Sequence, residues 1–366
     1  MRLYSEYNDH HLRQGLYRPF TRKAMYFDEF WNEERYQQNK ILPVEAAENE
    51  NISICASVVG HRAPYTVLAT NLLPNLTLNA VDGFQCFPLY TYALDGKLRR
   101  DNVTDWALAQ FQAKYGPEVT KRDIFHYVYG LLHSPQYRER YKENLKRELP
   151  RIPLVGPTPA ISRDPSLSGK GEDDEGKSKE NEGKSEENDG TPGGLLPSLN
   201  RGGSALALRV ANAAPGRGPF QAFVSAGAAL AALHVGYEQA AEYPLKQIVN
   251  KDVPFSWRVT KMRLNKEKTA VAVNESLTLA GIPPEAHEYK LGNRSALEWV
   301  LDQYQVSTDK RSGVVTDPNR ADDPEYIVRL VRRVVTVSVE TARLVASLPP
   351  LALPLPDSTA SEQKGA

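Results

Sequence analysis

Residues 123–154 restrict the fold of this chain more than any other stretch. Apolar side chains recur there at i, i+1, i+4, i+7 and i+8, the spacing of one helix face: Ile124, Phe125, Val128, Leu131 and Leu132. Ser134-Pro135 then starts a second helix, because Ser is a good N-cap and Pro fits the first helical position. The four-residue spacing of Tyr137, Tyr141 and Leu145 continues that helix, which we expect Pro150 and Pro153 to end.

The second of these helices carries a basic row. Arg138, Lys142 and Lys146 lie at i, i+4 and i+8, and a row of this kind can follow a phosphate backbone. Glu139 and Glu143 are spaced to pair with the lysines, so a solvated face of ion pairs is the alternative interpretation.

Three further blocks of the sequence belong with this segment. They are Tyr17-Arg18-Pro19-Phe20 followed by Met25-Tyr26-Phe27-Asp28, then Cys86-Phe87-Pro88-Leu89-Tyr90-Thr91-Tyr92, and finally residues 297–320. Together the four blocks resemble the C-terminal specificity domain of the Type ISP restriction–modification enzymes, which combine nuclease, translocase, methyltransferase and target-recognition modules in one large chain. The resemblance runs from about residue 16 to residue 348 and is interrupted in the middle.

The resemblance implies a target-recognition domain that binds double-stranded DNA and positions a methyltransferase that flips an adenine. Methyl transfer, ATP-driven translocation and cleavage would then belong to other modules, and S-adenosylmethionine and ATP are expected only there. Either the gene is truncated or split, or these modules lie on a separate polypeptide. One alternative is a protein-interaction or anti-restriction module in which an acidic segment mimics DNA, and another is a stand-alone enzyme with an unrecognised site.

Charge is unevenly distributed along the chain. The 366 residues contain 45 basic and 45 acidic side chains, and residues 169–190 hold four lysines against nine acids. The remainder therefore has 41 basic and 36 acidic residues, a mild excess of basic residues that is compatible with a polyanionic partner.

Cys55 and Cys86 are the only cysteines, so no disulfide framework is indicated. The amino end has no signal-peptide pattern, and the apolar stretch 224–235 is too short and too rich in Ala to span a bilayer, so we expect a cytoplasmic protein without a membrane partner.

The patterns predict an α+β fold of two mixed lobes with a helical C-terminal part. We expect residues 1–154 and 219–350 to form the two parts of a target-recognition domain. Residues 155–218 have the Gly-, Ser- and Glu-rich composition of a disordered insertion, and residues 351–366 that of a disordered tail. The alternation of residues 52–58 predicts a half-buried strand with residues 65–69 as its neighbour, and residues 256–274 predict a hairpin around the turn 265–268.

Two helices are expected near the carboxyl end. Ser295 and Glu298 form a capping box for a helix with Leu297, Val300 and Leu301 on its apolar face. A last long helix starts at Asp323-Pro324. The Val-rich piece 334–339 could form a strand, but the apolar period of a helix persists on both sides of it.

We find no catalytic constellation in the sequence. There is no Gly-rich turn for S-adenosylmethionine, no Asn/Asp-Pro-Pro-Tyr/Phe loop, no Walker A sequence and no convincing nuclease core. The seven histidines do not have metal-ligand spacing, and His133, just before the Ser134 cap, is more typical of a helix end than of a catalytic base.

Eight residues are candidates for contacting DNA. Pro19 breaks regular structure and would present three of them on a loop, although the aromatic residues there could instead anchor the loop in the core while Arg18 pairs with a carboxylate. Others lie in the polar turn 308–313, where Asp309 could instead pair with Arg311, and just before the capping box, where they could face phosphate or simply close the turn. The candidates are Arg18, Arg22, Lys23, Arg138, Asn293, Arg294, Lys310 and Arg311.

Overall fold

The computed structural model describes residues 6–79, 82–156 and 218–351, which combine helices with several small sheets. This mixture confirms the α+β class. The helices are α1 Gln38–Ile41, α2 Glu45–Glu48, α3 Asp105–Tyr115, α4 Lys121–His133, α5 Pro135–Arg140, α6 Lys142–Arg147, α7 Gly218–Val235, α8 Ala296–Gln303 and α9 Tyr326–Ala346. The strands are β1 Leu12–Arg18, β2 Thr21–Tyr26, β3 Ser53–Ser57, β4 Val67–Thr70, β5 Leu73–Pro74, β6 Phe84–Pro88, β7 Tyr90–Thr91, β8 Arg100–Asp101, β9 Lys246–Val249, β10 Arg263–Leu264, β11 Ala270–Ala272, β12 Leu277–Ala280, β13 Lys290–Leu291, β14 Arg294–Ser295, β15 Ser307–Thr308 and β16 Val315–Thr316.

The predicted insertion and tail fall almost entirely outside the described residues, as does the acidic stretch 169–190. The domain boundaries therefore stay a prediction. The two described ends of the gap are adjacent in space, because a Cβ added at Gly156 would lie 3.8 Å from Cδ of Pro219.

The central sheet has the order β4-β3-β6 and is antiparallel throughout. Residues 65–69 indeed supply the neighbour of the predicted strand, but β3 is buried on both faces rather than on one. Ile54 and Ala56 belong to a core cluster built with α4 and α7, whereas Cys55 belongs to a second cluster built with α8 and α9. The period-2 alternation thus sorts the side chains between two cores instead of between core and solvent.

Helices α4 and α7 cross closely, and they join the sequence before the gap to the sequence after it. Thr120 and Asp123 form a capping box at the start of α4, and the predicted apolar face of this helix is largely buried. The crossing requires glycine at two points, since a Cβ on Gly130 would clash with the carbonyl of Phe223 and a Cβ on Gly227 with the carbonyl of His126. By length and composition α7 could cross a membrane, but it packs here against α4 and α9 as a core helix.

The predicted second helix is two helices. Ser134 accepts a hydrogen bond from the backbone N–H of Tyr137, as expected of an N-cap, but α5 ends at Arg140 and Tyr141 leaves helical geometry with φ −105° and ψ 18°. Helix α6 then ends at Arg147, before Pro150. Tyr137 and Leu145 are both buried, so the chain changes direction at the break while both apolar side chains stay in the core.

The C-terminal part contains the sheet β10-β11-β12-β9 and the helices α8 and α9. The hairpin of β10 and β11 is confirmed, although its first strand is shorter than expected. Asn274 holds the segment before β10 instead, since its side-chain amide donates to the carbonyls of Ser256 and Arg258. The Ser295–Glu298 capping box is present, and residues 334–339 are helical within α9.

Candidate nucleic-acid interface

The first candidates lie on the hairpin of β1 and β2. A two-residue turn, Pro19-Phe20, connects these strands, and Phe20 adopts φ 56° with its ring buried. Because the chain reverses within two residues, Arg18 is the last residue of β1 and Lys23 lies within β2, so neither is on a loop. The Arg18 guanidinium lies 4.2 Å from the centroid of the Tyr17 ring, and the Lys23 ammonium lies 4.1 Å from it.

Among the described residues, Arg18 is held by neutral acceptors and not by a carboxylate. Its Nη1 donates to the carbonyls of Tyr17 and Thr77 at 2.9 and 3.0 Å. The tyrosine ring and these carbonyls fix the guanidinium, and no carboxylate of the described ranges neutralises its positive charge, which is favourable for a site that meets an anion.

Arg22 joins the hairpin to the C-terminal part. Its Nη1 lies 3.3 Å from Glu238 and its guanidinium 5.3 Å from the centroid of the Tyr237 ring. Burial alone would lower the pKa of Arg22, but Tyr237 and Glu238 outweigh it and raise the pKa. With a carboxylate partner in place, Arg22 serves the packing of these two parts of the fold.

Lys310 and Arg311 are exposed in the connection between β15 and β16. The Asp309 carboxylate accepts the backbone N–H groups of Arg311 and Ser312, at 3.0 and 2.7 Å, and these hydrogen bonds hold the pKa of Asp309 below its usual range. Asp309 thus fixes the backbone of the turn and not the Arg311 guanidinium. Within the described chain, neither basic side chain forms an ion pair, so both are presented to solvent on an ordered turn.

The remaining candidates are on separate elements. Asn293 and Arg294 are exposed before α8, where Arg294 pairs with Asp302 at 2.7 Å and lies 5.0 Å from the centroid of the Trp299 ring. Arg138 is half-buried on α5, and its Nε donates to the carbonyl of Leu132 at 2.6 Å.

The basic row of α5 and α6 does not form one surface. Lys142 lies 3.9 Å from Glu139 and Lys146 lies 3.1 Å from Glu143, as expected for a solvated face of ion pairs, while Arg138 turns inward.

One exposed arginine was not singled out from the sequence. The Arg320 guanidinium lies 3.3 Å from the centroid of the Tyr326 ring, just before α9. Little in the sequence pointed to Arg320, because Tyr326, whose ring lies beside its guanidinium, follows six residues later across a turn that contains Asp323-Pro324.

In the ranges 6–79, 82–156 and 218–351, no three His, Cys, Asp or Glu side chains are grouped so as to hold a metal ion. His133 ends α4, and its Nδ1 bonds the carbonyl of Tyr129 at 2.9 Å.

The described residues thus form an α+β domain that displays basic side chains on two short hairpins. The chain belongs to the family of Type ISP C-terminal specificity domains, which it matches over residues 3–159 and 214–330. The match is interrupted over residues 160–213, within the predicted insertion. A search of curated proteins found no match.

Three solved structures of larger proteins contain a similar domain. One is a nuclease-deletion mutant of the Type ISP restriction–modification enzyme LlaGI with a DNA substrate mimic, at 28% identity and a TM-score of 0.67 over 96% of this chain. The second is a DrdV–DNA complex, at 32% identity and a TM-score of 0.70 over 95% of this chain. The third is the ATP-dependent Type ISP restriction–modification enzyme LlaBIII bound to DNA, at 27% identity and a TM-score of 0.70 over 96% of this chain. This chain spans 26%, 29% and 19% of those three chains respectively.

Proposed function

We propose that this chain recognises a specific duplex DNA sequence for a restriction–modification system. The observation that carries the proposal is its membership of a specificity-domain family over most of its length. The three similar solved structures are complexes with DNA or with a DNA substrate mimic, which supports the same partner for this chain.

The exposed basic side chains suggest how the domain reads DNA. Lys310 and Arg311 project from a turn whose backbone Asp309 fixes, and Arg18 and Lys23 are held against the Tyr17 ring. Arg can pair with the O6 and N7 atoms of guanine through two hydrogen bonds, whereas Lys meets phosphate as a point charge. We assign base reading to Arg311 and phosphate contact to Lys310 and Lys23.

The chemistry of the system belongs, in this proposal, to other modules. The solved relatives are three to five times longer than this chain, and the sequence motifs for S-adenosylmethionine, ATP and cleavage are not found in this chain. Methyltransferase, translocase and nuclease modules, on the same or a separate polypeptide, would supply these activities in the cytoplasm. The domain itself would supply the choice of target, which positions the methyltransferase at its adenine.

A selection experiment tests the proposed function. The purified chain is incubated with a pool of duplexes that contain a randomised segment, and bound DNA is amplified and sequenced over several rounds. We expect one short sequence to be enriched. Bound pools that remain random would show that the chain does not recognise sequence.

A further inference from the structure

The hairpin of β15 and β16 stands away from the rest of the described fold. Every residue from 307 to 317 is exposed, so neither face of this two-stranded ribbon packs on a core. A two-stranded hairpin is at best marginally stable by itself. Burial within the described residues therefore does not account for the side chains that this hairpin carries.

The base and the tip of the hairpin are nonetheless fixed. The side-chain amide of Asn319 donates to the carbonyl of Val259 at 2.8 Å, and its amide oxygen accepts the N–H of Val259 at the same distance. Asp317 pairs with Arg258 at 2.6 Å, and Asp309 holds the turn at the tip. The ribbon is thus presented to solvent in one position, which suits a surface that has to meet a partner in register.

Two adjacent apolar side chains are exposed on this otherwise polar hairpin. Val314 and Val315 are each 60% exposed. Val315 lies opposite Thr308 in the ladder, so these two side chains share one face of the ribbon. Apolar residues that are scattered singly over a surface need no explanation. A neighbouring pair at the end of a ribbon that packs on nothing in the described ranges indicates contact with a partner.

The charges around the two valines favour a nucleic acid as that partner. Lys310 and Arg311 lie in the same turn, and neither forms an ion pair among the residues that the structure describes. Arg320 follows β16 by four residues, and its guanidinium lies 3.3 Å from the centroid of the Tyr326 ring. Both carboxylates of the hairpin are already engaged, one by backbone N–H groups of the turn and the other by an arginine. The ribbon therefore offers cations and methyl groups side by side.

We propose that this hairpin enters the major groove of the target duplex and that Val314 and Val315 read thymine there. The groove is about 12 Å wide and admits a two-stranded ribbon, whose strands lie about 4.8 Å apart. Of the four standard bases only thymine presents a methyl group in this groove, and an apolar side chain recognises it. The inference rests on the proposed function, and with Arg311 as the reader of guanine it specifies a target in which thymine lies close to guanine.

Removing thymine methyl groups one at a time tests the inference. In the duplex enriched by selection, each thymine is replaced in turn by uracil, which lacks only the C5 methyl group. The affinity of the purified chain for each duplex is measured by fluorescence anisotropy. We expect a loss of about fourfold at one or two positions, the factor that corresponds to burying one methyl-sized group.

A valine variant assigns that loss to the hairpin. Val314→Ala with Val315→Ala should bind the thymine duplex at least about fourfold more weakly than the wild type, and uracil at the same positions should weaken it no further. The fold should persist, because both side chains are exposed. Val249→Ala, at an exposed position of β9, is the matched control and should keep the full response to uracil.

The outcomes separate this inference from the proposed function. A preference for the enriched duplex without any response to uracil would overturn the inference, leave sequence recognition standing and indicate a protein module as the partner of the valines. An enriched sequence without thymine would overturn it too. So would a response to uracil that persists unchanged in the valine variant, since the thymine contact would then lie on another element. The absence of any enriched sequence would instead contradict the proposed function itself.

Discussion

Replacing Lys310 and Arg311 tests whether their turn is part of the proposed DNA interface. Because Asp309 and Ser312 hold the turn without them, Lys310→Ala with Arg311→Ala should weaken duplex binding while leaving the fold intact. Each lost phosphate contact should flatten the plot of log affinity against log salt by about 0.9, whereas a lost base contact should cost about 1–3 kcal/mol at the preferred site alone. A salt titration by fluorescence anisotropy measures both effects.

The matched control removes two lysines that are already paired with glutamates. Lys142→Ala with Lys146→Ala changes the net charge by the same amount, but these ammonium groups lie on the ion-paired face of α6. The control should bind DNA nearly as the wild type does. If both double variants lose the same affinity, only net charge matters and the turn at 309–314 has no special role.

Buried histidines make the fold sensitive to acid. The Tyr129 hydroxyl accepts from the backbone N–H of Ala69 and donates to Nδ1 of His234, whose Nε2 donates to Thr341 at 2.9 Å. Burial lowers the pKa of His234 to about 3 and that of His133 well below its usual range. Well above pH 6.5 both histidines are neutral in the folded and unfolded states, so neither makes stability depend on pH there.

Below pH 6.5 the unfolded chain takes up protons that the folded chain does not, so stability falls as the pH is lowered towards 3. Each histidine should contribute about 1.4 kcal/mol per pH unit once the pH is well below 6.5. Urea unfolding at pH 7.5, 6.0 and 5.0 should show this loss, and His234→Gln should reduce the slope by about one proton. An unfolding free energy that is constant between pH 6.5 and 5.0 would show that these histidines are not buried in their neutral form.

At the level of helices, the crossing of α4 and α7 is the contact most sensitive to a small change. Gly227→Ala would normally stabilise a helix by about 1 kcal/mol. Here the added methyl group meets the His126 carbonyl, so we expect a net destabilisation of about 1–3 kcal/mol or more as the helices separate. Chemical denaturation measures the difference.

Ala232→Gly, on the exposed side of the same helix, is the control for this substitution. The unfolding free energy of this control should fall only by the difference in helix propensity between Ala and Gly, about 1 kcal/mol. A Gly227→Ala protein as stable as the wild type would contradict the close crossing.

Local signals in the sequence predicted the helices better than the sheets. The Ser295–Glu298 capping box, the Ser134 cap and the apolar periods of α4, α8 and α9 depend on residues a few positions apart, and the structure confirms them. The second buried face of β3 could not be predicted, because the core cluster that contains Cys55 includes residues of α8 and α9, which lie more than two hundred positions later. The sequence also did not predict the break at Tyr141, because Tyr137 and Leu145 keep the four-residue spacing of a helix across it.

The candidate site was predictable only as a set of exposed basic residues. Lys310 and Arg311 lie on an exposed turn, as the polar sequence around them indicated. Arg22 pairs with Glu238, and Arg138 turns inward towards a cavity that residues of α9 help to line. Sequence spacing reveals neither position, because these neighbours are distant in the chain. Which of the eight candidates contact DNA stays a prediction.

For the molecule as a whole, the segment that the family match omits should be dispensable. Deleting residues 164–203 should change the unfolding free energy by less than about 1 kcal/mol, because the cost of closing a surface loop varies only logarithmically with its length. The adjacency of Gly156 and Pro219 allows a shorter connection to close the same gap. Thermal and chemical unfolding of the deletion variant measure the change.

A Gly/Ser segment of the native length in place of residues 164–203 separates the effect of charge from that of length. Both variants should retain wild-type duplex affinity if the acidic residues only solvate the connection. A large gain in DNA affinity in both would favour the interpretation that the acidic tract mimics DNA, and a cooperative loss of folding would show that the tract is structural.

The central claim is that this chain distinguishes one duplex sequence from others, and competition binding tests it most directly. The affinity of the purified chain is measured for the duplex enriched by selection and for a duplex of the same length and composition with that sequence shuffled, at low and at physiological salt. We predict at least about a tenfold preference for the enriched duplex that persists at the higher salt, because base contacts are less sensitive to ions than phosphate contacts are. Equal affinities for both duplexes, lost together as salt rises, would show non-specific electrostatic binding and contradict the account.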